Sequence, residues 1–488
     1  MSMINVKKLN EVSIVIDTEP GIEHEIADYF TFMVPGHQFM PQFRNKMWDG
    51  KIRMYSHMNR TLYAGLLSRL DQFAEERQYT LHMDKSIDRA KEFSAQDAER
   101  FIDRLKYPFP MRDYQMKAFI HAIRNRRCVL VSPTASGKSL IIYSIARYHE
   151  GKKILIIVPT ISLVSQLYSD FNLYGAAGGW DVNKNVHCIM EGRTKFTEKP
   201  ITISTWQAVY KQTQRYFHPF DVVIGDECHL FKAKSLSTIM TGLVNAKHRI
   251  GTTGTLDGTE VHQLMLEGLF GPVKQVTSTR ELIEKKQLSD FHIKALTLRY
   301  SENERKRMVR SRYQDEVDFI VAHEKRRNFI RNLTVSLKGN TLVLFQYVEK
   351  HGKPLYECIK NAVDKDRKVF FVYGGTDVDQ RERVRAIVEE ENNAIIVASN
   401  GVYSTGVNIK RLHNIIFTHP GKSKIRTLQS IGRGLRTGED KTEATLYDIV
   451  DDLGYKAHKN FATKHFLERH KYYMDEKFDV KIYKVDLK

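Results

Sequence analysis

Cysteine is scarce in this 488-residue chain: the four present, Cys128, Cys188, Cys228 and Cys358, stand far apart and form no Cys-x-x-Cys pair. That excludes a zinc ribbon and a disulfide scaffold, and leaves reduced, buried thiols as the reading. The 19 histidines show no His-x-His or His-x-x-x-His spacing, so they point to no metal site either. Long apolar runs are missing: nothing reaches the roughly 18 consecutive apolar residues a membrane span needs. No basic segment followed by an apolar one opens the sequence, as a secretory signal would require. A soluble, cytoplasmic protein with no membrane partner is expected. Low-complexity tracts and short-period repeats are also missing.

What is abundant is positive charge. Lysine and arginine total 76 against 58 aspartates and glutamates, a formal net charge of +18. Such an excess suits a polyanionic partner, most often nucleic acid. The length is too great for one ordinary core and implies several domains.

The chain divides by pattern. Residues 1–105 hold short apolar runs ("VSIVID", "FTFMVPG") with Pro-Gly and Asp-Gly turns and end in a charged helical stretch, a small mixed α/β domain. Residues 106–295 alternate strand and helix: "RCVLVSP", "KILIIVP", "ITIST", "FDVVIGDE" and "HRIGTTG" each end in small or polar residues. Near-continuous Val/Ile runs signal strands buried on both faces, hence a parallel sheet with its functional loops at the strand C-terminal ends. Residues 296–452 repeat the pattern with "NTLVLFQY", "KVFFVYGG", "NAIIVASN", "HNIIFTHP" and "ATLYDIVDD", after a charged helical lead-in at 301–333. Residues 453–488 read as an amphipathic helix and a strand packing against a lobe.

Within the first lobe, "SPTASGKS" (132–139) interrupts an apolar strand with small residues and then opens a helix with Lys138 and Ser139. That layout holds phosphate on backbone N–H groups and a helix N-terminus, although the full phosphate-loop pattern has Gly where Ser132 stands. Further on, "VVIGDECHL" delivers Asp226 and Glu227 at a strand end. One carboxylate there can hold Mg²⁺ while its neighbour orients and deprotonates water, the division of labour in nucleotide hydrolysis. In the second lobe "LQSIGRGLR" places Arg433 and Arg436 three apart, on one face of a helix and able to reach a γ-phosphate.

With these motifs in order, the chain resembles a superfamily 2 helicase over residues 111–436. The resemblance implies two tandem RecA-like parallel-sheet lobes, an N-terminal accessory domain and a short C-terminal extension, with ATP and Mg²⁺ as cofactors. "MRDYQMKA" resembles the Q motif, with Gln115 reading adenine and Arg112 nearby. "SPTASGKS" resembles motif I, which would give Pro133, Thr134, Ala135, Ser136, Gly137, Lys138 and Ser139 to the phosphates, Ser139 and Asp226 to the metal. "IIVPTISLVSQ" and "ISTWQAV" resemble motifs Ia and Ib, placing Pro159, Thr160, Ser204 and Thr205 beside the nucleic-acid backbone. "GTTGTLDG" occupies the motif III position, where most relatives have a Ser/Thr-Ala-Thr-Pro form. Motif IV brings Gln346 to the nucleic acid, and motif V, "VASNGVYSTGVNI", brings Gly406 to the nucleotide and has Asn408 where Asp is common.

Within that superfamily the chain looks like the UvsW-type helicases of tailed bacteriophages, through "FRNKMWDGKIRMY", "PTASGKSL", "DECHL", "YSTGVNIK", "GKSKIRTLQSIGR" and "DIVDDLG". That likeness implies an ATP-dependent motor on branched DNA (forks, Holliday junctions, R-loops with their RNA strand), acting in recombination, repair and replication, as a monomer, in a host cell's cytoplasm. Two rival readings stay open at this point: a duplex translocase without strand separation, and a non-catalytic ATP-dependent clamp.

The first domain carries the basic stretch "PQFRNKMWDGKIRMYSHMNR" (41–60). Arg44, Lys46, Lys51 and Arg53 are candidates for DNA phosphates, and Phe43, Trp48 and Tyr55 could stack on bases. Against that, Asp49-Gly50 reads as a hairpin turn and Trp48 as a core residue. Lys422, Lys424 and Arg426 are further candidates for the nucleic-acid backbone.

Overall fold

The computed structural model describes residues 3–87, 92–190, 194–230, 233–256, 259–405, 409, 411–423, 427, 430–432, 435 and 443–487. The chain divides between Thr277 and Ser278 into two compact units, with the short stretch Pro133–Ser136 grouped with the second.

The first unit contains a parallel seven-stranded sheet in the order Val186–Ile189, Ile201–Thr205, Ile154–Val158, Val222–Gly225, His248–Thr253, Arg127–Val131, Val273–Gln275. Its central strands are buried along their whole length because helices cover both faces, as their unbroken apolar runs require. Two apolar clusters line those faces, one around Ile156, Ile141 and Phe171 and the other around Leu155, Val223 and Ile239. All five strands anticipated from the sequence are present. The two edge strands, Val186–Ile189 and Val273–Gln275, carry a weaker pattern and were not anticipated.

The same unit carries the N-terminal domain. Its five-stranded sheet runs Tyr55–Ser56, Thr61–Tyr63, Ser13–Asp17, Met3–Lys8, Thr80–Met83, with the last pair parallel and the others antiparallel. Helices Pro20–Tyr29 and Leu67–Glu76 cover one face over a core of Ile4, Ile16, Ile26, Leu62 and Phe73. This domain is seated firmly on the large sheet's helices. Leu264 of helix Glu260–Leu269 completes its core. A Cβ on Gly65 would lie 2.0 Å from the Glu267 carbonyl oxygen, so only glycine permits that approach. Arg69 donates to both oxygens of the buried Glu267 carboxylate at 2.9 and 3.2 Å, and Arg127 Nη2 lies 2.9 Å from Glu11 Oε2.

The second unit holds another parallel seven-stranded sheet, Val369–Val372, Ile395–Ser399, Thr341–Phe345, Asn414–Phe417, Glu443–Asp452, Asp290–Arg299, Asp479–Asp486. The α/β class and the two parallel-sheet lobes therefore stand as expected. Three boundaries do not. Helix Ala95–Leu105 buries Ala98, Ile102 and Leu105 in the first lobe's core, not in the N-terminal domain. The division placed after residue 295 cuts strand Asp290–Arg299, which pairs on both edges with second-lobe strands. The boundary at 452 cuts the second lobe as well, although the helix and strand expected beyond it are present and pack as expected: helix Phe461–Asp475 lies on the sheet and Asp479–Asp486 is its edge strand. In each case sequence proximity competed with pairing partners far along the chain, and the pairing decides.

Among the described residues no helix is long and apolar enough to cross a membrane. Cys128, Cys188 and Cys228 are buried thiols and Cys358 is half-buried; burial pushes the Cys128 thiol up to about 12.

Candidate functional site

Strand Arg127–Val131 ends at Ser132, which is buried and donates its N–H to the Thr253 carbonyl at 2.9 Å, extending the sheet ladder. The chain then turns sharply, with left-handed φ at Ala135 (68°) and Gly137 (78°), and helix Lys138–Tyr148 begins. Glycine's freedom is needed at Gly137, not at Ser132, so serine is accommodated at the start of the loop. Pro133 and Ser136 are buried while Thr134, Ala135 and Ser139 are half-exposed around the helix N-terminus. The partial positive charge there and the successive backbone N–H groups suit a phosphate.

Gln115 braces this loop from the side. Its Oε1 accepts from the Arg112 N–H at 2.9 Å, capping helix Asp113–Asn125, and its Nε2 lies 3.4 Å from the Gly137 carbonyl. A Cβ on Gly137 would stand 2.5 Å from that nitrogen and push the Gln115 amide aside, and the left-handed φ of 78° disfavours a side chain there in any case. Arg112 donates to the Tyr114 hydroxyl at 3.0 Å.

Strand Val222–Gly225 delivers Asp226 and Glu227 beside the loop. Lys138 Nζ lies 3.2 Å from Glu227 Oε1 and 3.3 Å from the Ser132 carbonyl. Glu227 itself adopts a left-handed φ of 46°, a conformation that costs on the order of 1–3 kcal/mol and is characteristic of functional positions. Strand His248–Thr253 wires the two carboxylates to the next loop: Thr252 Oγ1 donates to Asp226 Oδ1 at 2.7 Å, and the Gly254 N–H to Glu227 Oε2 at 3.3 Å. His229 completes the set, 3.4 Å from Glu227 Oε2 and hydrogen-bonded to Thr253 Oγ1. Burial, and then the charge of Glu227, push Asp226 up to about 6. Burial works against Glu227 as well, but Lys138 and His229 together draw its carboxyl below the usual range.

Sequence reasoning placed the stretch containing Thr252 and Thr253 but not its individual bonds, and it missed Tyr174 entirely. Tyr174, on helix Ile161–Ala176, brings its hydroxyl to 2.8 Å from Ser139 Oγ. No sequence pattern signals that contact, because it depends on how two helices lie on one sheet face. Gly406, Arg433 and Arg436, together with Asn408, Lys424 and Arg426, lie outside the described residues.

At the other strand ends, the residues anticipated to meet nucleic acid differ in exposure. Ser204 and Thr205 are buried, with Ser204 Oγ donating to the Thr205 carbonyl at 3.0 Å, because strand Ile201–Thr205 is covered on both faces. Pro159 is buried too, and its carbonyl accepts from Gln207 Nε2 at 3.3 Å. The groups that reach the surface here are Thr160, which caps helix Ile161–Ala176, and the exposed Ile161 and Gln207. In the second lobe Gln346 is half-exposed, its Oε1 accepting from Asn400 Nδ2 at 3.4 Å.

In the N-terminal domain Arg44, Lys46 and Lys51 are exposed. Arg53 is exposed but paired with Asp49, and that pairing, with the Lys51 N–H, holds the Asp49 carboxyl down to about 2. Trp48 is not in the core: it is half-exposed, and its indole N–H donates to the Lys51 carbonyl at 2.9 Å. Asp49-Gly50 is not a two-residue hairpin either. Strands Thr31–Met33 and Lys51–Arg53 are joined by the long excursion 34–50, which contains the short helix Pro41–Arg44 and exposes Phe39, Met40 and Met47. Turn chemistry alone suggested the hairpin, and the strand pairing overrides it. Tyr55 is buried, bonded to Glu23 at 3.0 Å and unavailable for stacking.

Three family descriptions match the chain in order. Residues 3–84 match the N-terminal region of the DNA helicase UvsW, residues 108–258 the res subunit of type III restriction enzymes, and residues 324–438 the helicase conserved C-terminal domain. The ATP-dependent DNA helicase uvsW of Enterobacteria phage T4 is 35% identical over 494 residues, covering 97% of both chains. The DNA 3'-5' translocase XPB2 of Sulfurisphaera tokodaii is 25% identical over 393 residues, 72% of this chain and 85% of that one. The crystal structure of T4 UvsW superposes with a TM-score of 0.52 at 32% identity, covering 99% of this chain and all of that one (100%).

Proposed function

This chain belongs to the family of UvsW-type ATP-dependent DNA helicases, and from that premise we propose that it unwinds or remodels branched DNA by ATP hydrolysis at the loop Ser132–Ser139. The observation that carries the reading is the convergence of Lys138, Asp226 and Glu227 at neighbouring strand ends.

The residues fit the nucleotide and its metal. A turn with two left-handed positions ahead of a helix N-terminus is shaped for phosphate. A serine hydroxyl and a buried carboxylate, Ser139 and Asp226, are the hard oxygen donors Mg²⁺ prefers. Bound there, Mg²⁺ would neutralise charge on the phosphate oxygens. Lys138 would transfer from Glu227 to the β/γ-phosphates. Glu227, released from that ion pair, would orient the attacking water and take its proton on a carboxylate oxygen. Thr252 and the Gly254 N–H would hold the two carboxylates in place meanwhile, and Arg433 and Arg436 would add positive charge at the γ-phosphate. Gln115 and Arg112 would border the adenine.

Thr160 and the N-terminal domain's Arg44, Lys46 and Lys51 are the proposed contacts to the DNA backbone, and Gln346 is a further proposed contact to the DNA. The net charge of +18 supports a partner of that kind. Forks, Holliday junctions and R-loops, the last with an RNA strand, are the proposed substrates, for a monomer working in the host cell's cytoplasm.

The test is ATPase stimulation by single strands, duplexes, forks and four-way junctions, repeated across salt concentrations because phosphate contacts make affinity fall steeply with ionic strength. Strongest stimulation by forks and junctions is expected. Turnover indifferent to DNA would remove the assignment, and strand displacement on forked against blunt duplex separates a helicase from a duplex translocase.

A further inference from the structure

The second unit contains a cavity of about 290 Å³ that the hydrolysis site does not use. It opens at the C-terminal ends of three adjacent strands, Thr341–Phe345, Ile395–Ser399 and Asn414–Phe417. Open α/β sheets take their ligands at that edge. Its walls combine three kinds of group. Tyr313, Tyr347 and His419 supply rings, Gln346 and Asn400 supply two facing amides, and the exposed Lys422 supplies a cation at the rim. The volume is at the small end for ligand pockets, enough for one heterocycle and its phosphate but not for an extended cofactor.

The floor is held rigidly. Arg469 pairs with Asp448 at 2.9 and 2.8 Å, both side chains being buried, and bonds the Gly421 carbonyl as well. Arg326 does the same one layer deeper, pairing with Asp451 at 2.6 and 3.0 Å while donating to the Thr418 carbonyl at 2.7 Å. Tyr473 and Tyr300 each add a 2.8 Å bond to these carboxylates. Two buried ion pairs thus fix the backbone from Thr418 to Gly421, the segment that carries His419 into the cavity. A buried pair contributes little net stability compared with apolar packing, so its presence here is better accounted for by what it positions.

From this combination we propose that the cavity receives a single unstacked base, with its phosphate, from the DNA strand the protein tracks. Rings stack on a base face whatever its identity, at roughly 1–3 kcal/mol each by alanine substitution. Gln and Asn side chains pair with base edges, and a lysine at the rim meets the backbone phosphate. Extracting one base from the stack gives the second lobe a grip on the strand that plain phosphate contacts do not, because the strand cannot slide until that base is released.

This inference rests on the DNA-motor reading, and one experiment separates the two. The full chain is titrated with a fluorescein-labelled single strand in which one abasic site is moved along the sequence, and binding is read by anisotropy. Wild type should show one position, or two adjacent ones, where removing the base weakens binding about tenfold, the value of one stacked base. In Tyr347→Ala, and separately in Gln346→Leu, that position should cost less than about twofold, because the base no longer has its partner. Lys422→Ala, at an exposed side chain, should weaken binding at every position and keep the peak. A flat scan in wild type, with DNA still bound, overturns the base pocket and leaves the motor standing. A peak that survives undiminished in both cavity variants, each verified as folded by its melting curve, also overturns it. Absence of DNA binding altogether would instead overturn the reading on which it rests.

Discussion

Lys138 and Glu227 form an ion pair, Nζ to Oε1 at 3.2 Å, across the mouth of the loop that is shaped for phosphate. Each neutralises the other while no nucleotide competes. Lys138→Ala should therefore abolish ATP turnover yet leave DNA affinity within about twofold, since the basic residues proposed to hold DNA lie elsewhere. Phosphate release and anisotropy on the same preparation check this, and retained DNA-stimulated turnover would refute it.

Glu227→Gln removes the proposed base and also releases Lys138. Turnover should fall on the order of 10² to 10⁴-fold, the usual value of a general base. Nucleotide affinity, measured with a fluorescent ATP analogue, should stay level or tighten, because the lysine is no longer engaged by a carboxylate. A parallel loss of binding and turnover would mean Glu227 serves the fold rather than the chemistry.

Thr252 holds Asp226 through a 2.7 Å bond in a fully buried setting. Thr252→Val should cost about 1 kcal/mol of stability, the net worth of one such bond. It should reduce turnover by more than it reduces nucleotide binding. Melting temperature, Kd and kcat together separate these effects.

The N-terminal domain's seat on the first lobe depends on Gly65, whose Cβ position lies 2.0 Å from a backbone oxygen, and on the Arg69–Glu267 pair. Gly65→Val should undock the domain and appear as a second, lower melting transition. Arg69→Met should cost about 1–2 kcal/mol, discounted because the guanidinium is partly exposed.

His351 is buried in the second lobe, its Nε2 3.2 Å from Thr418 Oγ1. Burial drops its pKa well below 6.5, and Arg326 and His419 lower it further. The unfolded chain takes up this proton near pH 6.5 and the folded lobe does not, so the unfolded state binds more protons and stability falls as pH drops below about 6.5. Urea melts between about pH 7 and 5 should show that slope, and His351→Gln should reduce it by about one proton.

The lobes were legible because parallel strands buried on both faces leave unbroken Val/Ile runs, and ten of those runs are strands in the structure. The loop Ser132–Ser139 and the carboxylates Asp226 and Glu227 were legible as positions, because small residues ahead of a helix and acids at a strand end leave a local pattern. What escaped was set by distant partners. Ser204 resembled a contact residue by position but faces inward, Trp48 resembled core by type but lies half-exposed, and Tyr174 meets Ser139 with no local signature at all. The aromatic and amide cavity was invisible for the same reason, its walls being drawn from residues 313 to 469.

Strand Asp290–Arg299 lies between two neighbours made much later, with Asp290 beside Glu443 and His292 beside Asp479. On the ribosome, at about 5–20 residues per second, it would wait on the order of ten seconds or more with both edges unpaired. The N-terminal domain and first lobe, by contrast, can finish before that strand has partners. Synthesis therefore exposes a nascent second lobe that is prone to mispairing, and an aggregation-sensitive interval late in translation follows from the sheet's strand order alone.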